Sequence, residues 1–468
     1  MTDLQALYSN PVNFTKLSTA ELFAIDFDEI EKIQLHHFKR RFREFKGKIA
    51  ALGRLAEDVE IDEITSFDDL ASVAFPHTMY KSYSVADVDN GRWERMTQWL
   101  QAFTAHDLSG IDVSGCASMD EWMDALEAKT PLRPSLSSGT SGKISIWPRS
   151  TIEEVYFIEY IYRLVEEAVD LPGFPLRDGK LPYLCAWPAA YGRHNYPIMF
   201  RLLRDKAYAE HPERVITLGD AFMGAGELWL AGKLRRAESL GEKIELTERE
   251  KILIEKIKAQ ETKSDALWDG FIDRAVIQQR GKRVLLFSFW IQLYQFAQKC
   301  AERGVKIEWS PDSVIYVTGG TKGFTFPDNF MDVINATCPF TYPDRYREGY
   351  GMSETTAIAI LCPQGHYHPL PWGIKHLTDP DTGKSLPRKG VQRGRLMVFD
   401  LLPTTYWSGT ASGDEVTIDW DGSCGCGRKG PVIHKSIARL ADRRGGDDKI
   451  TCARTPDAYR NLEEFVLG

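Results

Sequence analysis

The chain has 468 residues, of which 43% are hydrophobic and 26% charged, and its 58 basic and 66 acidic side chains give a formal net charge of −8. This is the composition of a globular protein, and the length allows two or three domains. The net charge is negative, and no run of Lys and Arg with interleaved aromatic residues is present. The sequence therefore disfavours nucleic acid or an anionic membrane surface as the main partner and favours a small molecule.

The sequence predicts a cytoplasmic protein. Its first residues, "MTDLQALYSNPVNF", contain no basic region followed by an apolar one, so we expect no secretory signal. The most apolar stretch, "VLLFSFWIQLYQFA" from Val284, contains a Ser and two Gln and is too short to cross a membrane. The eight cysteines are scattered apart from one Cys-x-Cys pair, a distribution that favours a reducing compartment over a disulfide framework.

The first predicted elements are helices. Residues 1–75 form a predicted helical extension, in which "FDEIEKIQLHHFKRRFREF" has the pattern of a charged amphipathic helix. Residues 76–390 follow as the predicted core. A helix begins there at Ser150, which forms a capping box with Glu153, and the sequence Leu171-Pro172-Gly173 predicts its end.

The pattern changes within the core from charged helices to short apolar strands. A helical region from Leu246 to about Gln279 opens with the capping pair Thr247 and Glu250. The runs "VLLFSF" and "SVIYVTGG" are predicted strands, and "WIQLYQFAQKCAERG" between them is a predicted helix. This order is typical of a mostly parallel sheet covered by helices on both faces, so we predict an α/β fold.

The last part of the chain is predicted to be rich in β-structure. The stretches "RLMVFDLLP" and "DEVTIDW" predict strands within a β-rich subdomain, residues 391–440. A short C-terminal remnant, residues 441–468, follows it.

A hydroxyl-rich loop in the core is a candidate phosphate-binding site. It is "SSGTSGK", which comprises Ser137, Ser138, Gly139, Thr140, Ser141, Gly142 and Lys143. The loop is not a Walker A loop, because its glycines are separated by two residues and Ile144 follows the lysine, and it has no G-x-G-x-x-G fingerprint. Its backbone N–H groups, hydroxyls and ammonium can all face a polyphosphate. A solvated Ser/Gly turn explains the loop alone equally well.

Three later stretches favour the nucleotide interpretation. "TGG", from Thr318 to Gly320, ends a predicted strand, where the backbone can approach a flat ligand. In "YREGYGMSETTA", the aromatic ring of Tyr350 can stack on a base and the carboxylate of Glu354 can hold Mg²⁺ beside phosphate. In "ASGDEVTI", Asp414 can accept hydrogen bonds from ribose hydroxyls. Each stretch is also compatible with an ordinary turn, but four of them in this order are hard to explain as ordinary turns.

The order of "SSGTSGK", "TGG", "YGMSET" and "SGD" resembles the acyl-adenylate-forming superfamily of acyl-CoA synthetases, luciferases and adenylation domains. The resemblance covers roughly residues 70–450. "CPQGHYHPLPWGI" and "CGCGRKGP" make the chain most similar to the phenylacetate-CoA ligase and bioluminescence acyl-protein synthetase branch. The resemblance implies a large adenylate-forming α/β domain that uses ATP and Mg²⁺ to convert a carboxylic acid to acyl-AMP. The acyl group then passes to a thiol of coenzyme A, a carrier protein or a partner protein.

The resemblance also implies roles for individual residues. Residues 137–143 would hold the β- and γ-phosphates, with Lys143 as a catalytic cation. Ser353 would contact the α-phosphate, Glu354 would hold Mg²⁺ and Asp414 would bind the ribose. Gly319, Gly320 and Tyr350 would line the adenine pocket, and Thr321 and Gly351 are further implied nucleotide-binding residues.

The chain departs from the family pattern in several places. Ile144 and Ser145 stand where the family usually has Pro-Lys, and Ser412 replaces a threonine. The hinge is scrambled, with Arg439 the best candidate for its arginine. Only 29 residues follow Arg439, so the mobile C-terminal domain of the family is expected to be largely absent, and Lys449 is only a possible stand-in for its lysine. A catalytically impaired homologue that acts as a nucleotide-binding scaffold or sensor is the alternative.

Cysteines and histidines form two clusters about sixty residues apart. They are Cys362, His366 and His368 in one, and Cys424 and Cys426 in the other. Three cysteines with one of the two histidines would make a tetrahedral structural Zn²⁺ site, and the related branch is expected to have such clusters. A buried cysteine, two surface histidines and a flexible turn are the alternative.

Cys452 lies near the C-terminus, and the resemblance to the bioluminescence acyl-protein synthetase, which carries its acyl group on a cysteine in that region, implies a thiolate that could accept the acyl group from the adenylate. A passive thiol is the favoured interpretation.

Overall fold

A computed structural model describes residues 3–137, 143–169, 176–187, 189–241, 243, 246–261, 264–319, 326–340, 345–357, 359–422 and 424–440. The helices are α1 (Leu4–Ser9), α2 (Thr19–Ala24), α3 (Phe27–Lys46), α4 (Ala50–Asp58), α5 (Leu70–Val73), α6 (Val85–Asp89), α7 (Trp93–Gln101), α8 (Met119–Lys129), α9 (Thr151–Val169), α10 (Asn195–Leu202), α11 (Ala225–Leu240), α12 (Glu248–Glu261), α13 (Ser264–Ile272), α14 (Trp290–Glu302) and α15 (Phe330–Thr337). The strands are β1 (Phe75–Pro76), β2 (Ser135–Leu136), β3 (Ile146–Trp147), β4 (Tyr183–Cys185), β5 (Ala189–Gly192), β6 (Val215–Thr217), β7 (Ala221–Met223), β8 (Leu285–Phe289), β9 (Val314–Thr318), β10 (Tyr346–Tyr350), β11 (Ala359–Leu361), β12 (His366–Pro369), β13 (Gly373–Thr378), β14 (Val391–Asp400), β15 (Gly409–Asp419), β16 (Val432–His434) and β17 (Ala438–Arg439).

These elements belong to two units. Unit 1 contains Met1–Ser135, Ser145–Tyr160 and Gly351–Gly468, and unit 2 contains Leu136–Ile144 and Ile161–Tyr350. The mixture of helices and sheets confirms the predicted α/β class. Among the described residues, no helix has both the length and the apolar character that a bilayer crossing requires.

The N-terminal helices of unit 1 follow from their local sequence. Helix α2 begins with a complete capping box between Ser18 and Glu21. The predicted amphipathic helix is confirmed as α3, which buries an apolar stripe at helical spacing. On this stripe, the ring of Phe38 lies 4.9 Å from that of Phe399 and 6.1 Å from that of Trp407. The helical extension is therefore part of the core of unit 1.

Unit 1 is built around an antiparallel sheet. Its strand order is β13-β14-β15-β16-β12-β11, and β1 and β17 also pair with β15, β1 in parallel and β17 antiparallel. Strands β14 and β15 confirm the β-rich structure expected beyond residue 390. The short strand β1 brings residues around Phe75 beside Thr410, far from them in sequence.

Unit 2 contains a parallel sheet with the strand order β10-β9-β8-β4-β6. The predicted strand–helix–strand order is confirmed by β8, α14 and β9, with Leu286 opposite Ile315 in the register. Leu286, Ile315 and Val317 belong to one buried apolar cluster with residues of α13 and α14. Strands β5 and β7 form a separate parallel pair.

The N-terminal capping pairs predicted for two helices of the core are also observed. The Ser150 N–H donates to Glu153 Oε2 at 2.9 Å at the start of α9, and Glu153 Oε1 accepts from the Thr405 hydroxyl at 2.6 Å. The charged region from residue 246 forms two helices, α12 and α13, and Thr247 caps the first of them through Glu250. The predicted end of α9 at residues 171–173 lies outside the described residues.

Candidate functional site

In unit 2, the predicted adenine-site residues follow two neighbouring parallel strands. Gly319 comes directly after β9 and has φ +67°, a conformation that favours glycine. Tyr350 ends β10, and the Thr318 hydroxyl donates to the Gly349 carbonyl at 3.5 Å between the strands. The carboxyl ends of parallel strands are where open α/β sheets place their ligands. Gly320 and Thr321 lie outside the described residues.

The phosphate-loop candidate is described only at its two ends. Ser137 and Lys143 are both partly buried, whereas Ser138, Gly139, Thr140, Ser141 and Gly142 lie outside the described residues. Leu136, just before the loop, donates its N–H to the Arg193 carbonyl at 2.9 Å. Ile144, just after it, is fully buried. Its side chain therefore serves packing at a position where the resembling family has proline.

In unit 1, the segment after Tyr350 is anchored at Ser353. The guanidinium of Arg149, which is buried, donates from Nη2 to the Ser353 carbonyl at 2.6 Å. Ser353 and Glu354 are partly buried, and Gly351 is exposed. Burial raises the pKa of the Glu354 carboxyl, an effect that the nearby charges of His77 and Arg439 oppose. A carboxylate with a raised pKa is one that a bound cation would stabilise in its charged form.

Asp414 lies on β15 opposite Arg439 on β17. The carboxylate is 4% exposed, and its Oδ1 lies 3.1 Å from Arg439 Nη1. The Asp414 N–H donates to the Ser412 hydroxyl at 3.1 Å, so serine keeps a local bond that a threonine could also make. Both Asp414 and Arg439 interact electrostatically with Glu354. The structure thus brings Glu354, Asp414 and Arg439 together in unit 1.

His77 is a member of this group that the sequence analysis did not identify. It follows β1, and its N–H donates to the Ala411 carbonyl at 3.1 Å. Its ring atoms Cε1 and Nε2 lie 3.9 Å from where a Cβ on Gly413 would stand. Only the pairing of β1 with β15 brings His77 to Glu354, and no pattern in "AFPHTMY" indicates that pairing.

The Cys/His cluster is also in unit 1. Ligand atoms of Cys362, His368, Cys424 and Cys426 all lie within 4.8 Å of one another. The sulfurs of Cys362 and Cys424 are 3.6 Å apart, and Cys426 Sγ lies 3.3 Å from His368 Nε2. His366 Nδ1 lies 3.4 Å from Cys424 Sγ but is not part of the four-residue group.

These distances fit a tetrahedral zinc ion. Zn–S bonds of about 2.3 Å and Zn–N bonds of about 2.0 Å place two sulfurs ~3.8 Å apart and a sulfur and a nitrogen ~3.5 Å apart. Burial lowers the pKa of His368 to about 3, and Arg428 adds to the effect, so the imidazole is neutral and can offer a lone pair. Three thiols and one imidazole are donors typical of structural zinc.

Comparison with known proteins gives similar structures only. No protein-family model and no curated protein matches the chain. An open conformation of 2-hydroxyisobutyryl-CoA ligase in complex with 2-HIB-AMP and CoA is similar at 13% identity and a TM-score of 0.47, over 89% of this chain and 71% of the ligase.

Two further structures are similar over shorter stretches. The amide bond synthetase McbA from Marinactinospora thermotolerans gives 16% identity and a TM-score of 0.31, over 72% of this chain and 54% of McbA. O-succinylbenzoate coenzyme A synthetase from Bacillus subtilis, in complex with ATP and magnesium ion, gives 11% identity and a TM-score of 0.32, over 67% of this chain and 51% of the synthetase. At these values the similarities do not by themselves assign the chain to a family.

Proposed function

We propose that the chain is an AMP-forming acid–thiol ligase, which activates a carboxylic acid as acyl-AMP and transfers the acyl group to a thiol. The main supporting observation is that Glu354, Asp414 and Arg439 interact within unit 1 although they come from three separate stretches of sequence. The order of the four motifs that resemble the adenylate-forming superfamily supports the same activity.

In this proposal the chain positions two anions and neutralises charge. A carboxylate oxygen attacks the α-phosphorus of ATP in line, and the bond to the pyrophosphate oxygen breaks as the new P–O bond forms. Lys143 and the loop of residues 137–143 bind the departing phosphates. Ser353 contacts the α-phosphate, and Asp414 accepts hydrogen bonds from the ribose hydroxyls.

The remaining residues surround the base and the cation. Gly319, Gly320 and Tyr350 form the proposed adenine site, and Thr321 and Gly351 are further proposed nucleotide-binding residues. Glu354 holds Mg²⁺, which when bound neutralises phosphate charge as a Lewis acid. Arg439 Nη1 lies 3.1 Å from Asp414 Oδ1 and holds that carboxylate in place.

The second step transfers the acyl group. A thiolate attacks the acyl carbonyl, a C–S bond forms and AMP leaves with the electrons of the C–O bond. The acceptor is a thiol of coenzyme A, of a carrier protein or of a partner protein. Cys452 and Lys449 lie outside the described residues, so a role for either in this step stays a sequence-based prediction.

The proposal includes a structural zinc ion held by Cys362, His368, Cys424 and Cys426. The site joins the β11–β12 hairpin to the turn before β16, and the reaction above requires no zinc at that position. We propose that the protein is cytoplasmic, because none of the cysteines among the described residues forms a disulfide.

Acid-dependent exchange of pyrophosphate into ATP tests the activity. A panel of aromatic and medium-chain carboxylic acids should contain at least one that supports exchange, and mass spectrometry of that reaction should detect acyl-AMP. AMP rather than ADP should accumulate when a thiol acceptor is added. ATP binding without exchange for any acid would instead favour a nucleotide-binding scaffold or sensor.

A further inference from the structure

A buried charged network holds the three residues that follow Glu354. Asp400 Oδ2 accepts hydrogen bonds from the Thr356 N–H at 2.7 Å, the Thr356 hydroxyl at 2.6 Å and the Thr355 hydroxyl at 3.2 Å. Lys375 Nζ donates to the Ala357 carbonyl at 2.8 Å. Every one of these residues is at most 5% exposed.

We infer that Asp400 and Lys375 are positioning residues, which fix residues 353–357 so that Ser353 and Glu354 face the nucleotide in a single geometry. This inference rests on the proposed function. It goes beyond the residues of the proposed ATP site, because Asp400 and Lys375 touch neither the nucleotide nor the acid. They act through residues 355–357.

The two charges come from neighbouring strands. Asp400 ends β14 and is paired with Gly373 on β13, and Lys375 lies two residues farther along β13, on the same face. Burial lowers the pKa of Lys375, and the charge of Asp400 opposes part of this effect. A strand pair with a fixed register therefore sets the spacing of the two groups that hold the 353–357 segment.

The passage of the segment over β13 requires a glycine. A Cβ on Gly373 would stand 2.2 Å from the Cβ of Ala357 and 3.0 Å from Lys375 Nζ. At the other end, Arg149 holds the Ser353 carbonyl. The segment is thus fixed on both sides of Glu354 by groups from three distant parts of the chain.

Stability alone is a poor reason for such a network. Taking a carboxylate and an ammonium out of water costs free energy, and replacing buried charged groups by packed apolar side chains is often neutral or stabilising. Correct placement of a reacting group has a larger effect, since a displacement of about 1 Å can reduce a rate ~100-fold. We therefore infer that the role of the network is to position Glu354 and Ser353.

The test compares Asp400→Asn with Asp87→Asn. Asp87 is also a buried carboxylate of unit 1, and it pairs with Arg92 and Arg95 instead of the 353–357 segment. Both variants should lower Tm. Asp400→Asn should lower kcat of acid-dependent exchange about 10- to 100-fold with little change in the KM for the acid, whereas Asp87→Asn should keep the wild-type kcat. Equal kcat in the two variants would overturn the inference.

Two milder substitutions, both at Thr356, test the inference if the Asp400→Asn variant does not fold. Thr356→Val removes only the hydroxyl that bonds to Asp400, and Thr356→Ser keeps it. Thr356→Val should lower kcat several-fold, and Thr356→Ser should restore it. A Thr356→Val variant as active as Thr356→Ser would contradict the inference.

A readout without catalysis separates this inference from the proposed function. Hydrogen exchange of the amides of Thr356 and Ala357 should speed up in Asp400→Asn and stay slow in Asp87→Asn, and only Asp400→Asn should weaken binding of MgATP measured by calorimetry. If the wild type shows no exchange activity, the proposed function fails, and these two measurements still decide the inference. Unchanged amide exchange in Asp400→Asn would refute it.

Discussion

Asp414 Oδ1 and Arg439 Nη1 lie 3.1 Å apart on residues that face each other across β15 and β17. In the proposed function the Asp414 carboxylate accepts hydrogen bonds from the ribose hydroxyls of ATP. A hydrogen bond to a charged group contributes about 1.5–3 kcal/mol, so Asp414→Asn should raise the KM for ATP about 10- to 100-fold. Steady-state kinetics at varied ATP concentration measures this.

The matched control for that variant is Glu415→Gln. Glu415 is the next residue on β15, points to the other face and pairs with Arg393 at 2.8 Å. Its neutralisation removes the same charge and an equivalent ion pair, and the KM for ATP should not change. Equal effects of the two substitutions would mean that net charge, rather than ribose binding, determines the KM.

Glu354 should set the acid side of the pH profile. Burial raises the pKa of its carboxyl, so activity that needs the charged form should decline at a higher pH than an ordinary glutamate would give. Higher Mg²⁺ concentration should shift this decline to lower pH, because the cation favours the carboxylate. Glu354→Gln should reduce kcat about 100-fold or more, and a pH profile that is independent of Mg²⁺ would argue against a role in metal binding.

The Cys/His cluster should hold one zinc ion per chain, measured by elemental mass spectrometry. Cys426→Ser should lose the metal and, with zinc at about 1,000 times its Kd, also ~4 kcal/mol of stability against unfolding. Cys116→Ser, which changes a partly buried free thiol outside the cluster, should keep both metal and stability. His366→Ala should keep the metal, whereas His368→Ala should release it.

Lys375 should make stability depend on pH. Burial lowers the pKa of its ammonium to about 8, below the ordinary value of about 10.4. Below pH 8 the folded protein must bury the charged ammonium, which lowers its stability. Between pH 8 and about 10.4 the folded protein has lost this proton while the unfolded chain still holds it, so the stability of the wild type rises over this window. Relative to Lys375→Met, the gain should be about 3 kcal/mol in urea unfolding experiments at each pH. A stability difference that stays constant from pH 7 to 10.5 would contradict a perturbed lysine.

Phe38 tests the packing of the N-terminal helices in unit 1. Its ring is fully buried against Phe399 and Trp407, so Phe38→Ala should cost about 3–5 kcal/mol of unfolding free energy. Phe222→Ala removes a ring that is 49% exposed and should cost less than about 1 kcal/mol. Urea titrations followed by tryptophan fluorescence measure both, and similar midpoints for the two variants would contradict the packing.

Local patterns were sufficient to predict much of the fold. The period of α3, the apolar runs of β8 and β9 and the capping pair at Thr247 all depend on residues close in sequence, so the chain alone reveals them. The choice between His366 and His368 could not be made in this way. The two histidines lie on the same face of β12, and only the position of the Cys424–Cys426 turn decides which one completes the cluster.

The supporting residues of the candidate site were not predictable for a related reason. His77 reaches Glu354 through the pairing of β1 with β15, and Asp400 reaches Thr356 through the end of β14. Such contacts depend on strand register between segments that lie tens to hundreds of residues apart, and single-sequence patterns do not encode it. The nucleotide motifs are visible because their functional residues are adjacent in sequence.

The division of unit 1 among separate stretches of chain has a consequence for biosynthesis. Phe38 leaves the ribosome long before Phe399 and Trp407, and at about 5–20 residues per second the delay is roughly 20–70 s. Unit 2, nearly continuous in sequence, can fold during this interval. The apolar stripe of α3 must meanwhile be shielded from other nascent chains, so we expect newly made protein to depend on a holding chaperone until translation passes residue 407.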